Sequence, residues 1–184
     1  ASDANATDVG DLSEARIGVA GQSSDANGYT SGGTTSPPYL NPPSIDTIDK
    51  FPFSSDANAT DVGNLTQARK DLSGQSSGTH GYSSGGQTPP STFHNTIDKF
   101  SFSSDGNATD VGDLTQARSG PAGQSSPSHG FTSVGYAPAI PGRTNIIDRF
   151  AFASDANATD YGDTLTAKSN SAGQSSISNG YSSG

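Results

Sequence analysis

The chain of 184 residues sets 18 acidic against nine basic side chains, and its net charge of −9 repels nucleic acid and anionic membrane surfaces. It contains no Cys, Met or Trp, which excludes disulfides, thiolate chemistry and Cys-ligated zinc. Apolar residues make up only 29 %, and no apolar run approaches the ~18 residues of a membrane span, so the core is expected to be lean and built by repetition.

The first element is Ser2-Asp-Ala-Asn-Ala-Thr-Asp-Val-Gly10. It returns at Ser55–Gly63, Ser104–Gly112 and Ser154–Gly162, so that Asp3, Asp56, Asp105 and Asp155 are 53, 49 and 50 residues apart. A period near 50 marks a stacked-repeat architecture. The reading is a single repeat domain over residues 1–184, with units of approximately 1–53, 54–102, 103–152 and an incomplete 153–184. Because the sequence starts in mid-unit, a processed product or a segment of a longer polypeptide is expected. Repetition argues against an enzyme, since a catalytic site is usually made once.

Each unit continues with a basic position and Gly-Gln-Ser-Ser, as in Arg69 to Ser77. A Gly-Tyr-Ser/Thr-Ser-Gly-Gly module follows, at Gly28–Gly33 and Gly81–Gly86. Then come the variable stretches Thr34–Thr47, Gln87–Thr96 and Tyr136–Ile146, which carry most of the prolines. The unit closes on Ile-Asp-Lys/Arg-Phe-x-Phe at Ile48–Phe53, Ile97–Phe102 and Ile147–Phe152. Its aromatics alternate with other residues, the period of a strand with one buried face. Pro52 suggests an edge strand, because Pro cannot donate to a ladder. Leu65–Arg69 could form one helical turn, and no window supports a longer helix. Four short antiparallel strands per unit are the grammar of a propeller blade.

The order Arg69, Gly74-Gln-Ser-Ser77, Gly81-Tyr-Ser-Ser-Gly-Gly86, Ile97-Asp-Lys-Phe100 resembles a kelch blade across essentially the whole chain. Two departures stand out: Val111-Gly-Asp-Leu114 replaces the Trp common late in a kelch unit, and Val134-Gly135 replaces the Gly pair. The blocks are also similar to tandem kelch-like repeats of marine bacteriophage virion proteins. The resemblance implies an all-β, kelch-like β-propeller or part of one. It also implies a non-catalytic structural or adhesive role in a tail fibre or surface appendage, on a virion or outside the cell. Expected partners are other virion or surface proteins, copies of the chain itself, and a host glycan.

Several residues suggest chemistry. Asp3, Asn5, Thr7 and Asp11, with Asp105, Asn107, Thr109 and Asp113 in the third unit, alternate along the chain as oxygen ligands of Ca²⁺ do. The competing expectation is a network of Asx turns, with no cofactor. Asn5, Asn58, Asn107 and Asn157 also open Asn-Ala-Thr sequons, read here as turn formers. His80 and His129 share a register with Asn27 and Asn179, which marks turn formers. Gln22, Gln75, Gln124 and Gln174 are expected on an inner strand, satisfying buried polar groups. Seven of the nine cations are repeat-locked, and structural pairing with Asp is expected of them. Tyr29, Tyr82, Phe131 and Tyr181, and the Phe pairs, are expected as core between units. Tyr39 and Phe93 in the variable stretches, with the unrepeated His94 and Arg143, are the candidates for contact with a partner or glycan. The alternative function is thus a lectin that uses those loops.

Overall fold

A computed structural model describes residues 5–35, 43–138 and 142–184. Tyr39 and Asp3 lie outside them. The described chain is all-β, with no helix. Its strands are β1 (Arg16–Ile17), β2 (Ala20–Ser23), β3 (Asn27–Ser31), β4 (Thr34–Thr35), β5 (Thr47–Pro52), β6 (Thr60–Asn64) and β7 (Ser73–Ser76). They continue with β8 (His80–Ser84), β9 (Gln87–Thr88), β10 (Thr92–Phe93), β11 (Thr96–Ser101), β12 (Thr109–Asp113) and β13 (Ala122–Ser125). The last are β14 (His129–Ser133), β15 (Tyr136–Ala137), β16 (Gly142–Ala151), β17 (Thr159–Lys168), β18 (Ala172–Ser175) and β19 (Gly180–Ser183).

Three antiparallel sheets repeat one pattern: β2-β3-β5-β6, β7-β8-β11-β12 and β13-β14-β16-β17, with β15 added along β16. β18 and β19 make a two-stranded fourth sheet. The sheets are out of phase with the sequence units by one strand. The outermost strand of each, such as β6 on β5, is the Asn-Ala-Thr-Asp module of the following unit. Each unit is thereby stitched to the next through a hydrogen-bonded ladder as well as through packing.

The Gly-Gln strands β2, β7, β13 and β18 lie side by side. Glycine permits that approach. A Cβ on Gly74, Gly123 or Gly173 would stand 2.1, 2.3 and 2.1 Å from the carbonyl oxygen of Gly21, Gly74 and Gly123. Before each inner strand the backbone turns through the left-handed region, at Gly18 (φ 70°), Asp71 (54°), Gly120 (61°) and Asn170 (56°). The sequence places there only residue types that tolerate that conformation.

Two sequence expectations are corrected. Leu65–Arg69 forms a bend rather than a helical turn. Leu65 is drawn into the core at 4 % exposure, and the Thr66 N–H and hydroxyl donate to Asp98, 3.0 and 2.6 Å away. Pro52 is on an inner strand, since β5 pairs with both β3 and β6. It is tolerated because the ladder with β6 stops at Lys50, two residues earlier.

The core lies between sheets. Tyr29 of the first sheet packs on Phe100 and Phe102 of the second, with ring centroids 5.5 and 4.8 Å away. Tyr82 of the second packs on Phe150 and Phe152 of the third at 5.5 and 4.8 Å. Tyr29 and Tyr82 are each 2 % exposed, and Leu65 and Leu114 sit in the same two clusters. The registers that the sequence assigns to the core are buried at Tyr29, Tyr82, Phe100 and Phe150, whereas Tyr181 and Phe53, which share those registers, are each 57 % exposed.

Candidate functional site

The chemistry-bearing side chains fall into three places: buried ion pairs, bridges between sheets, and the variable-loop face. Arg16, Arg69 and Arg118 precede the inner strands and reach Asp49, Asp98 and Asp148 on the third strands of the same sheets, at 2.8, 3.0 and 2.7 Å. All six side chains are fully shielded from solvent. Each Asp also accepts an N–H and a hydroxyl bond from Ser13, Thr66 or Thr115. Burial pulls the guanidinium pKa of Arg69 and Arg118 below its ordinary value, and the facing Asp98 and Asp148 oppose that pull. Asp98 and Asp148 use both carboxylate oxygens in these contacts, whereas Asp49 takes all of its bonds on Oδ2 and its buried Oδ1 has no partner among the described residues; the pairs act as fasteners within the sheets.

The bridges between sheets repeat as regularly. The Gln22 amide donates to the Tyr82 carbonyl and Ser83 hydroxyl (3.0 and 2.9 Å), and Gln75 to the Phe131 carbonyl and Thr132 hydroxyl (3.1 and 3.0 Å). Gln124 reaches the Tyr181 carbonyl and Ser182 hydroxyl in the same way. Lys50 pairs with Asp105 and Lys99 with Asp155 of the following sheet. The residues nominated for calcium are distributed among such roles. Asn107 Oδ1 accepts the Asn64 N–H across sheets at 3.0 Å, and Asp105 holds Lys50. Asn58 and Asn157 repeat the Asn107 bond, while Asp8, Asp61, Asp110 and Asp160 each cap the N–H two residues on. Asn5, Thr7 and Thr109 are exposed, as is Asp11; Asp113 is half-buried. Among the described residues, no three His, Asp or Glu side chains converge on a point where an ion would sit.

His80 and His129 close turns that Ser77 and Ser126 cap, and Asn27 and Asn179 do the same with Ser24 and Ser176. His94 is half-buried, within 3.0 Å of the Thr88 hydroxyl. Burial, then the Arg69 charge, lower its pKa, and Asp98 partly offsets them. Burial, then Lys99, lower that of His80.

On the variable-loop face the structure brings together Phe93, Tyr136 and Arg143. Phe93 on β10 meets Tyr136 on β15 with centroids 5.6 Å apart, and Tyr136 pairs across the ladder with Arg143. Tyr136 is 42 % exposed, and the exposed Arg143 donates to the Ser169 hydroxyl at 3.2 Å. The sequence reading did not single out Tyr136, although its place in a variable stretch was the available signal.

A cleft of about 640 Å³ lies between the third sheet and β18-β19, bordered by Phe131, Val134, Ile147, Tyr161, Leu165 and Tyr181. It occupies the position that the aromatic core fills between the earlier sheets. Among the described residues no helix is long and apolar enough to cross a membrane.

No family model matches the chain, and no curated protein matches its sequence. Among solved structures, that of YjhT is similar to the chain with a TM-score of 0.69 at 12 % identity, over 86 % of this chain and 56 % of YjhT. The likeness concerns the fold alone, and the chain spans little more than half of that structure.

Proposed function

We propose that the chain is a run of kelch-like β-propeller blades serving as a non-catalytic structural or adhesive module of a phage fibre or surface appendage, on a virion or outside the cell. The observation that carries this reading is the use made of the repeat-locked charges. Arg16, Arg69 and Arg118 are consumed by buried pairs with Asp, and Lys50 and Lys99 by ties between sheets. A scaffold of this kind needs no cofactor. Its individuality lies in the unequal variable stretches, which would face other virion or surface proteins. The phage setting comes from the likeness of the repeat wording to virion proteins. Mass spectrometry of purified particles tests it: peptides of this chain are expected in them, and their absence from particles of a phage that encodes the chain overturns the reading.

The Phe93–Tyr136 pair with Arg143 beside it favours a second reading, in which the loop face binds a host carbohydrate. Aromatic rings stack on sugar faces, and a guanidinium recognises hydroxyls or an acidic sugar. A glycan array is expected to give hits that Tyr136→Ala abolishes. An array without hits at high protein concentration removes this reading and leaves the first intact.

A further inference from the structure

We infer that the cleft beside β19 is an acceptor site for one more β-strand, supplied by a polypeptide carrying a further Ile-Asp-Lys/Arg-Phe-x-Phe-Ser-Ser-Asp segment of the same repeat type. The inference rests on the repeat geometry of the reading above, and not on its virion setting.

The two earlier interfaces act as internal templates for what the cleft lacks. β19 pairs with β18 on one edge, and among the described residues its other edge is open. At the equivalent edge of β8, Ile97, Asp98, Lys99 and Phe100 pair with Ser84, Ser83, Tyr82 and Gly81. The same register sets an incoming Ile, Asp, Lys and Phe against Ser183, Ser182, Tyr181 and Gly180. Extended peptides add to open sheet edges in this way, with the backbone giving affinity and side-chain pockets giving specificity.

Four unmet contacts mark the site, and one nine-residue segment, a strand with the bend that follows it, meets them all. Gly28, Gly81 and Gly130 are bare because a phenyl ring lies over each, and an added Cβ would stand 2.3 Å from the rings of Phe51, Phe100 and Phe150. Gly180 occupies the same register, yet the nearest atoms to a Cβ there are those of Gln124, at 3.3 Å. No ring covers it. Phe131 occupies the register of Tyr29 and Tyr82, but among the described residues its ring contacts are with Tyr161 and His129 rather than with a Phe pair. Lys168 stands in the register of Arg16, Arg69 and Arg118, and among the described residues it has no carboxylate within ion-pair distance. Arg149 stands in the register of Lys50 and Lys99. Where those reach Asp105 and Asp155 of the next sheet, it lies 4.5 Å from the Tyr161 ring. In a segment reading as residues 97–105 do, the first Asp meets Lys168 and the first Phe covers Gly180. The second Phe seals Phe131, and the last Asp meets Arg149.

A second copy of these residues is a poor donor. Each of its three such strands, β5, β11 and β16, is already hydrogen-bonded on both edges. The site also differs from its templates in one respect. Thr164-Leu165 reverses the order of Leu65-Thr66 and Leu114-Thr115, so Leu165 is fully exposed and the hydroxyl that caps Asp98 or Asp148 elsewhere is missing. An added strand therefore binds less tightly than its internal counterparts.

The test uses the whole chain and a synthetic peptide, Ile-Asp-Lys-Phe-Ser-Phe-Ser-Ser-Asp, copied from residues 97–105. Calorimetry is expected to give saturable 1:1 binding, with new amide-exchange protection at Gly180 and Ser182, whose N–H groups face the open edge while those of Tyr181 and Ser183 face β18. A peptide with both Phe changed to Ser should bind roughly ten- to hundred-fold more weakly, from the loss of buried phenyl surface. Gly180→Val should abolish the site while circular dichroism stays unchanged, because the residue is exposed and Val suits a strand. Lys168→Ala should weaken binding by less than the loss of the rings does. Absence of binding to the folded chain, or equal binding of both peptides, overturns the inference. None of these outcomes bears on whether the chain resides in virions or binds glycans.

Discussion

The interface between the first two sheets and the one after the third are written in nearly the same residues and reach opposite ends. Between sheets one and two, Tyr29 is 2 % exposed under Phe100 and Phe102. At the fourth sheet, Tyr181 is 57 % exposed, although it comes from the same repeat module. The module does not bury itself. Its aromatic, its basic residue and its bare glycine are each half of a contact, and the other half is carried by a third strand. A repeat of this kind is stable through its neighbours, as expected of a quasi-one-dimensional array.

The largest expected contrast is electrostatic. Arg69→Ala leaves Asp98 buried and uncompensated and should lower stability by about 3–5 kcal/mol in urea unfolding. Lys168→Ala, in the same register, should stay within about 0.5 kcal/mol of the parent. Next come the aromatics. Tyr82→Ala should cost about 3–5 kcal/mol, as aromatic truncation in a core does, whereas Tyr181→Ala should be nearly neutral. If Tyr181→Ala matched Tyr82→Ala, the contrast between the two interfaces would be lost.

These contrasts also show what could be read from the sequence and what could not. The shared register of Tyr29, Tyr82, Phe131 and Tyr181 marks them as core, because aromatics locked to a repeat position pack between units. That holds for Tyr29 and Tyr82 and not for Tyr181, since burial depends on the third strand, which no local pattern of the fourth unit encodes. The pairing of the repeat-locked cations with Asp was legible from their common register, and Arg16, Arg69 and Arg118 obey it. The phase shift between units and sheets was not. Asn-Ala-Thr-Asp looks like the start of a unit, and only the ladder of β5 with β6 places it at the outer edge of the preceding sheet. The loop cluster was half legible. Phe93 drew attention as an aromatic in a variable stretch and Arg143 as an unrepeated residue, while Tyr136, which joins them, was not singled out.

A smaller effect separates the histidines of the closed sheets from the solvated chain. Burial favours the neutral rings of His80 and His94, so their folded pKa values lie below the ordinary 6.5. The unfolded chain then binds more protons, and stability rises with pH across that interval. The melting temperature should therefore be steady above about pH 7 and fall as the pH drops below about 6.5, through the lowered values. In His94→Asn this fall should be shallower.

The smallest expected effect is at the surface. The ammonium of Lys50 and the carboxylate of Asp105 are partly solvated, so Lys50→Ala should cost about 0.2–1 kcal/mol, with the difference fading in high salt. A loss that persisted at high salt would mean that the tie between sheets acts through packing of the Lys stem rather than through charge.

The most direct test of the claim that a third strand seals each interface is native-state amide exchange compared between β8 and β19. Their sequences are nearly the same, and they differ in having or lacking that strand on the outer edge. Amides of Tyr82–Ser84 should exchange only through large openings near the global unfolding free energy, and those of Tyr181–Ser183 orders of magnitude faster. Equal, strong protection of both segments in the isolated chain would contradict the account.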